Sequence, residues 1–440
     1  MRAHGRMGYD GAFTMSHFLC VLIFCVAYVG IAVGGLPRLT IDRTGIALLG
    51  AIAMVSAGVL PLPQAMASID APTLLLLFGL MLVSAQLRLS GFYTRSALAL
   101  SGLAERPRVF LLLLMLVSGA LSALLVNDIV CLAFTPVLAG AVQRARLNPL
   151  PYLIGLACAS NIGSAATLIG NPQNMLIGQM AHLAFAPFLA WCAVPVLLSM
   201  AAAYGLLLVL YRGRLSVAAD ERPASGGERP PLAGAAAPQA DGPRAPGTET
   251  PWQVWKGLLV TAALVALFFT PAPRETVALA AGGVLLCSRR MDARRLLGMI
   301  DWSLILLFCG LFVVIAGFET SGLPGRLMEA LARREVSVAN PYVLAGVGAV
   351  LSNLVSNVPA VMLLIRFLGE ASAEAWYVLA LSSTFAGNLL TIGSIANLIV
   401  IEQARGLGVT VTFREHARAG VPVTLASLAV VLGWLFVMRA

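Results

Sequence analysis

The sequence predicts an all-α polytopic membrane protein. Two inverted repeats each hold five transmembrane helices and one re-entrant hairpin, with broken helices at the midplane. Three observations predict it. The 440 residues are 59% hydrophobic and only 11% charged, where a soluble domain carries about 25% charged residues. Apolar runs near the length of about 20 residues that a crossing needs recur along the whole chain. The second half of the sequence also repeats the first, in order.

The repeat can be laid out residue by residue. Residues 69–91 placed over 300–322 without a gap give 10 identities in 23 positions, including Asp70 with Asp301, Gly79 with Gly310, and Ser90-Gly91 with Ser321-Gly322. Arg43 falls on Arg274 at the same offset of 231. With the offset reduced by one, the run from Leu121 to Asn127 lies over Leu351 to Asn357. Further on, Leu168 to Asn174 lies over Thr391 to Asn397.

An N-terminal tail is expected over 1–16 and a first repeat over 17–212, with spans at about 17–36, 44–60, 71–88, 150–181 and 187–211. A flexible linker rich in Pro, Ala and Gly follows over 213–251. The second repeat, 252–440, carries spans at about 253–270, 275–288, 302–318, 376–401 and 420–438. Between the third and fourth span of each half lies an extra apolar block, 107–143 and 341–369, with a polar middle: Asn127-Asp128 in one, Ser356-Asn357-Val358-Pro359 in the other. The arm after Asn357 is too short to cross, so both blocks read as re-entrant hairpins. Two ordinary spans with a polar turn remain an alternative for the first. Arg2 and Arg6 ahead of the run from Phe18 resemble a signal-peptide n-region, but no A-x-A-like cleavage site follows, so this run is expected to stay as the first span.

Five spans and a returning hairpin per half put the halves in opposite orientations. Charge fixes which way round. The loops on the linker's side hold 21 of the 29 Arg and Lys residues and those on the other side hold 8. The positive-inside rule then places the linker in the cytoplasm and both termini outside, in a cytoplasmic (inner) membrane. The net charge of +9 therefore sets topology and does not speak for nucleic-acid binding. The seven Cys form no CxxC pair and the four His no metal-site spacing. No cofactor is expected beyond Na⁺ or H⁺ as a coupling ion.

The polar residues at membrane depth carry the chemistry. In Ser160-Asn161-Ile162-Gly163-Ser164, Thr167 and Gly170-Asn171-Pro172-Gln173-Asn174, amides, hydroxyls and glycines stand where lipid-facing sequence would be Leu or Val. Such a run is tolerable only where it is buried in protein or lines a cavity. Pro172 breaks the helix, and a break exposes N–H groups suited to an anion and carbonyls suited to a hard cation. Asn388, Thr391, Gly393, Ser394 and Asn397 repeat the parts without a proline. Pro359 is expected to break the second hairpin. The alternative for both broken helices is a kink whose Asn and Ser act as packing glue.

Asp128 is the only acid at the hairpin tips and so by default a functional residue. A Na⁺ site at Asn127, Asp128 and Gly163 is expected. The alternative is that Asp128 caps its helix. Glu319 is expected at the interface beside a loop arginine, and Arg366 to snorkel to the surface.

These elements together resemble the ion transporter superfamily, which includes divalent anion/sodium symporters, arsenite efflux permeases and citrate–metal transporters. The resemblance rests on Val126-Asn127-Asp128, Ser160 to Asn174, Ser356-Asn357-Val358-Pro359 and Gly387 to Asn397. It implies secondary transport of a small anionic solute by an elevator motion, in a homodimer. The dicarboxylate symporters typically carry Ser-Asn-Thr at both tips. Here Asn127, Ser356 and Asn357 match, while Asp128 and Val358 replace the Thr. The tips look closer to the arsenite-permease branch and to anion permeases. A Na⁺/H⁺ antiporter, which needs a titratable carboxylate such as Asp128, stands as the alternative, and a channel as a further one. An intramembrane enzyme would need a catalytic cluster that the chain lacks.

Overall fold

The computed structural model describes residues 4–35, 40–216, 251–288, 291–333, 337–369 and 371–440. The linker expected over 213–251 therefore lies, from 217 to 250, outside the described residues, as do Arg38, Arg289 and Arg290 of the charge count. Among the described residues the regular structure is entirely helical, with one isolated bridge between Leu147 and Ser216.

The first half runs α1 (His4–Val33), α2 (Arg43–Ser56), α3 (Leu62–Ala67), α4 (Ala71–Leu89), α5 (Phe92–Ser101), α6 (Pro107–Leu124), α7 (Asn127–Arg144), α8 (Pro149–Ser164), α9 (Pro172–Met180) and α10 (Phe185–Leu210). Helix α1 thus begins inside the stretch expected as a tail. The second half runs α11 (Pro251–Phe268), α12 (Arg274–Leu286), α13 (Ala293–Leu297), α14 (Trp302–Thr320), α15 (Leu323–Ala332), α16 (Pro341–Val355), α17 (Asn357–Leu368), α18 (Ala373–Ala386), a 3₁₀ turn (Thr391–Gly393), α19 (Ile395–Gly406) and α20 (Phe413–Arg439). Six of these helices, α4, α6, α10, α11, α14 and α20, are long and apolar enough to cross a membrane. The chain is a polytopic α-helical membrane protein.

The sequence matches reappear as matched local structure. Asp70 caps α4, its carboxylate accepting the Thr73 N–H at 2.8 Å, and Asp301 caps α14 from Leu304 at 3.0 Å. Each satisfies one of the orphan N–H groups at a helix start. Packing partners also come in matched pairs. Helix α4 lies on α12 as α14 lies on α2, and α7 lies on α19 as α17 lies on α9. A glycine centres each crossing in the first set. A Cβ on Gly79 would sit 2.5 Å from the Ala278 carbonyl carbon, and one on Gly310 would sit 2.7 Å from that of Ala47. Both pairs keep the 231-residue offset. Small residues let helix backbones approach where no hydrophobic force drives association.

The arms α6–α7 and α16–α17 meet at short tips. In the second, Ser356 has φ +76° and ψ 161°, a region kept almost entirely by glycine, at a cost of about 1–3 kcal/mol. Pro359 does not make this break. It lies within the first turn of α17, after the break at Ser356, because a proline fits the start of a helix where N–H groups are unpaired anyway. Its carbonyl accepts the Tyr28 hydroxyl of α1 at 3.2 Å.

Candidate solute and ion site

The two helix interruptions, 165–171 and 387–394, are built by the same device. Asn174, in the first turn of α9, reaches back with its amide to the Thr167 carbonyl at 2.9 Å and that of Ser164 at 3.4 Å. Asn397, in the first turn of α19, does the same to Leu390 at 3.1 Å and Gly387 at 2.7 Å. One amide thus satisfies two carbonyls freed by each break, which membrane burial would otherwise leave unpaired. Pro172 opens α9 at its first position, and Asn171 caps it by accepting the Asn174 N–H at 2.9 Å. Ser394 precedes α19 without such a bond.

Each tip is tied to the break of its own half. The Asn127 N–H donates to the Gly170 carbonyl at 3.2 Å, and the Ser160 hydroxyl donates to the Asn127 carbonyl at 3.2 Å. The Asn357 amide faces two carbonyls and donates to Gly393 at 3.2 Å and Ser383 at 3.1 Å. Ser122 shares a 2.8 Å bond with Ser160, and Thr167 donates to the Ala123 carbonyl. Asn353 holds the end of α18 through the Ala386 carbonyl at 3.0 Å.

The breaks also meet each other. Asn161 is the hub. Its amide donates to Asn388 at 2.9 Å and Asn397 at 3.1 Å, and its carbonyl oxygen accepts from Ser394 at 2.9 Å and Asn127 at 3.3 Å. A second link runs through Thr384, whose hydroxyl accepts from Gln173 at 3.2 Å and Asn171 at 3.4 Å; Asn171 also donates to Ser164 at 2.9 Å. All of these side chains are buried. None is charged, which fits membrane depth, where an unpaired charge is far costlier than an amide.

Four buried atoms here have no partner: Asn127 Oδ1, Asn174 Oδ1, Asn353 Oδ1 and Asn388 Nδ2. Unpaired buried groups of this kind mark places a ligand can complete. The two oxygens on the first half fit a cation such as Na⁺; the second half offers one oxygen, of Asn353, and one amide donor, of Asn388, which fits an acceptor-rich solute.

Several expected site residues stand apart. Asp128 is half-buried on the first turn of α7, and among the described residues nothing bonds its carboxylate, so it does not cap the helix. Gly163 is packed against Gly119 of α6, and Gly170 against Ser164, so both allow backbone to meet backbone. Thr391 and Ser356 lie half-buried beside the network and make none of its bonds. Glu319 pairs with Arg366 of α17 and not with a loop arginine, N to O at 3.3 Å, because α14 and α17 bring them together, and both side chains stay partly exposed.

The sequence expectations missed Gln173, Thr384, Asn353 and His416. His416, buried in the first turn of α20, places Nε2 3.1 Å from the Asn388 carbonyl. No local signal marks it; the contact joins residues 28 apart, with α19 and the loop after it between them.

A helical membrane bundle with interrupted helices and a buried neutral polar centre fits a membrane transporter, and the family and relatives that match the chain are transporters, not enzymes. The chain belongs to the citrate transporter family CitMHS, whose profile matches residues 19–386. It is 32% identical to the silicon efflux transporter LSI3 of Oryza sativa subsp. japonica, over 90% of this chain and 92% of that protein. It is 24% identical to the putative transporter arsB of Dictyostelium discoideum, over 96% and 91%. An inner membrane protein of Escherichia coli, YbiR, is 29% identical over 77% and 81%.

Proposed function

We propose that the protein is a secondary active transporter that moves a small anionic solute across the cytoplasmic membrane, coupled to Na⁺ or H⁺. The network around Asn161 carries this reading, since it joins the two breaks at a single buried centre. The halves act as inverted repeats, α6–α7 and α16–α17 as re-entrant hairpins, and the hairpins with α8–α10 and α18–α20 as a body that slides against the remaining spans. The working unit is a homodimer. Residues 217–250 face the cytoplasm and both termini face outside.

The solute contacts Asn161, Asn388 and Asn397, with Asn127, Asn174 and Asp128 on the side of the coupling cation. Asp128, free of bonds, is the group that holds that cation or carries a proton. One observation favours a second reading, efflux of a weak oxyacid in the manner of an arsenite permease: the network has no Arg or Lys to hold a strong anion. The names of the rice and Dictyostelium relatives point the same way.

Thermal stabilisation of the purified protein by citrate, phosphate, sulfate, arsenite and silicic acid, each with and without Na⁺, tests the choice. A ligand at 100 times its Kd adds about 2.7 kcal/mol. The expected outcome is stabilisation by one oxyacid or oxyanion, and gradient-driven movement of that solute in proteoliposomes. Na⁺ extrusion against protons with no solute present would replace this reading with a Na⁺/H⁺ antiporter.

A further inference from the structure

Away from the polar centre, a cavity of about 490 Å³ opens between the α3–α4 turn, α14, the end of α9 and α17. Ser68, Asp70, Met180, Phe312, Glu319 and Arg366 are among its walls. Met180, Phe312 and Arg366 also line a constriction of about 10 Å³, closed in by Leu176, Ile315, Met362 and Ile365. That volume admits about one water. The constriction adjoins the cavity, with which it shares Met180, Phe312 and Arg366. Leu176 is two residues from Asn174, and Met362 is five from Asn357. The cavity therefore lies at the far ends of α9 and α17, the helices that begin at the first break and the second tip, with apolar side chains between.

Its charge is the informative part. Arg366 is the guanidinium in the wall and Glu319 neutralises it; Asp70 adds a second carboxylate, so the lining carries a net charge of −1. One Asp70 oxygen already caps α4. Glu319 and Arg366 sit on α14 and α17, the two helices that belong to different bodies if one body slides past the other.

We propose that this cavity is the outer vestibule of the transport path, a cation-collecting chamber latched by the Glu319–Arg366 pair. An entering Na⁺ or hydronium is concentrated there, and an anion reaching it is not retained. The chamber thus serves entry of the coupling cation and release of the solute, the polarity of an exporter. This rests on the sidedness proposed above, in which the face opposite residues 217–250 is external.

Thiol labelling in intact cells tests it without any solute, so its result stands apart from transport assays. Ala316, in the cavity wall, is replaced as Ala316→Cys, and Ser68→Cys serves if that variant does not insert. Two membrane-impermeant methanethiosulfonates are compared, one carrying trimethylammonium and one sulfonate. Rates are read from the mass of the modified peptide and normalised to a small free thiol. The cationic reagent is expected to react faster by about threefold or more, the scale of one unit charge within several ångströms in water, and Glu319→Gln to remove the preference. Met362→Cys, below the latch, is expected to be at least about tenfold slower to label than the cavity thiol, since a one-water passage excludes the reagent, and to speed up when Arg366→Gln opens the pair. No labelling from outside, labelling only in inverted vesicles, a rate equal or faster for sulfonate, or a preference that survives Glu319→Gln would each overturn the proposal.

Discussion

The two helix breaks share a plan and differ in finish. Both are stapled by an asparagine that reaches back to two carbonyls, Asn174 in the first and Asn397 in the second. The first also has Pro172 at the helix start, an Asn171 cap and a nearby acid in Asp128. The second replaces these with a 3₁₀ turn, an uncapped Ser394 and a neighbouring strained tip at Ser356. The first keeps its shape by local bonds and reaches the other half through Asn171 and Gln173, which donate to Thr384. The second spends its side chains on the other half: Asn388, Asn397 and Ser394 all bond Asn161. Their unpaired atoms differ in part. Asn127 and Asn174 leave oxygens on the first half, while the second leaves the Asn353 oxygen and the Asn388 N–H donor. On the proposed reading, the first half serves as the cation side and the second as the solute side.

That division can be broken most completely at Asp128. Asp128→Ala is expected to abolish ion-driven transport in proteoliposomes, because no other acid stands at a hairpin tip, while insertion and thermal midpoint stay close to wild type. The converse change, Val358→Asp, restores nothing if the acid must sit on the first side. Full ion-driven uptake by Asp128→Ala would remove the distinction between the halves.

Next comes the hub. Asn161→Ala leaves four polar partners without their bond, and Thr384→Ala leaves two. Membrane hydrogen bonds average about 0.6 kcal/mol each, so the expected losses are about 2 and about 1 kcal/mol. Unfolding in detergent measures both. Equal losses would mean that the halves are tied symmetrically after all.

The last pair, which includes the smallest effect, sharpens the contrast in capping. Asn171→Ala is expected to cost about 2 kcal/mol, about 1 from the lost cap and the rest from its bonds to Ser164 and Thr384. In Ser394→Ala the loss is one bond to Asn161, about 0.6 kcal/mol. Hydrogen exchange in the first turns of α9 and α19 separates them. Faster exchange is expected in α9 alone, and the idea fails if α19 loosens equally.

Much of this was legible before any coordinates. Asn161 and Asn174 stand out because amides in a lipid-spanning run have no cheap explanation, and the repeat locates their counterparts. Gln173 and Thr384 lie in polar runs, Asn171 to Asn174 and Ser382 to Thr384, but nothing local pairs them, because their bond spans 211 residues. Glu319 and Arg366 were read separately as edge charges; only the packing of α17 on α14 makes them a pair. Pro359 was misread because a proline marks both a helix break and a helix start, and Ser356 shows which one applies. His416 needed the return of α20 onto the second break.

The crossings at Gly79 and Gly310 have a consequence for how the chain is made. Each half lends a helix to the other, so neither has a finished interior of its own. Gly79 emerges from the ribosome almost 200 residues before Ala278, its backbone partner. At about 5–20 residues per second, it waits about 10–40 s. During that interval α4 presents an open small-residue groove to lipid, or to whatever insertion machinery covers it. Biogenesis, and not only transport, is therefore a stage at which substitutions at these two glycines do their harm.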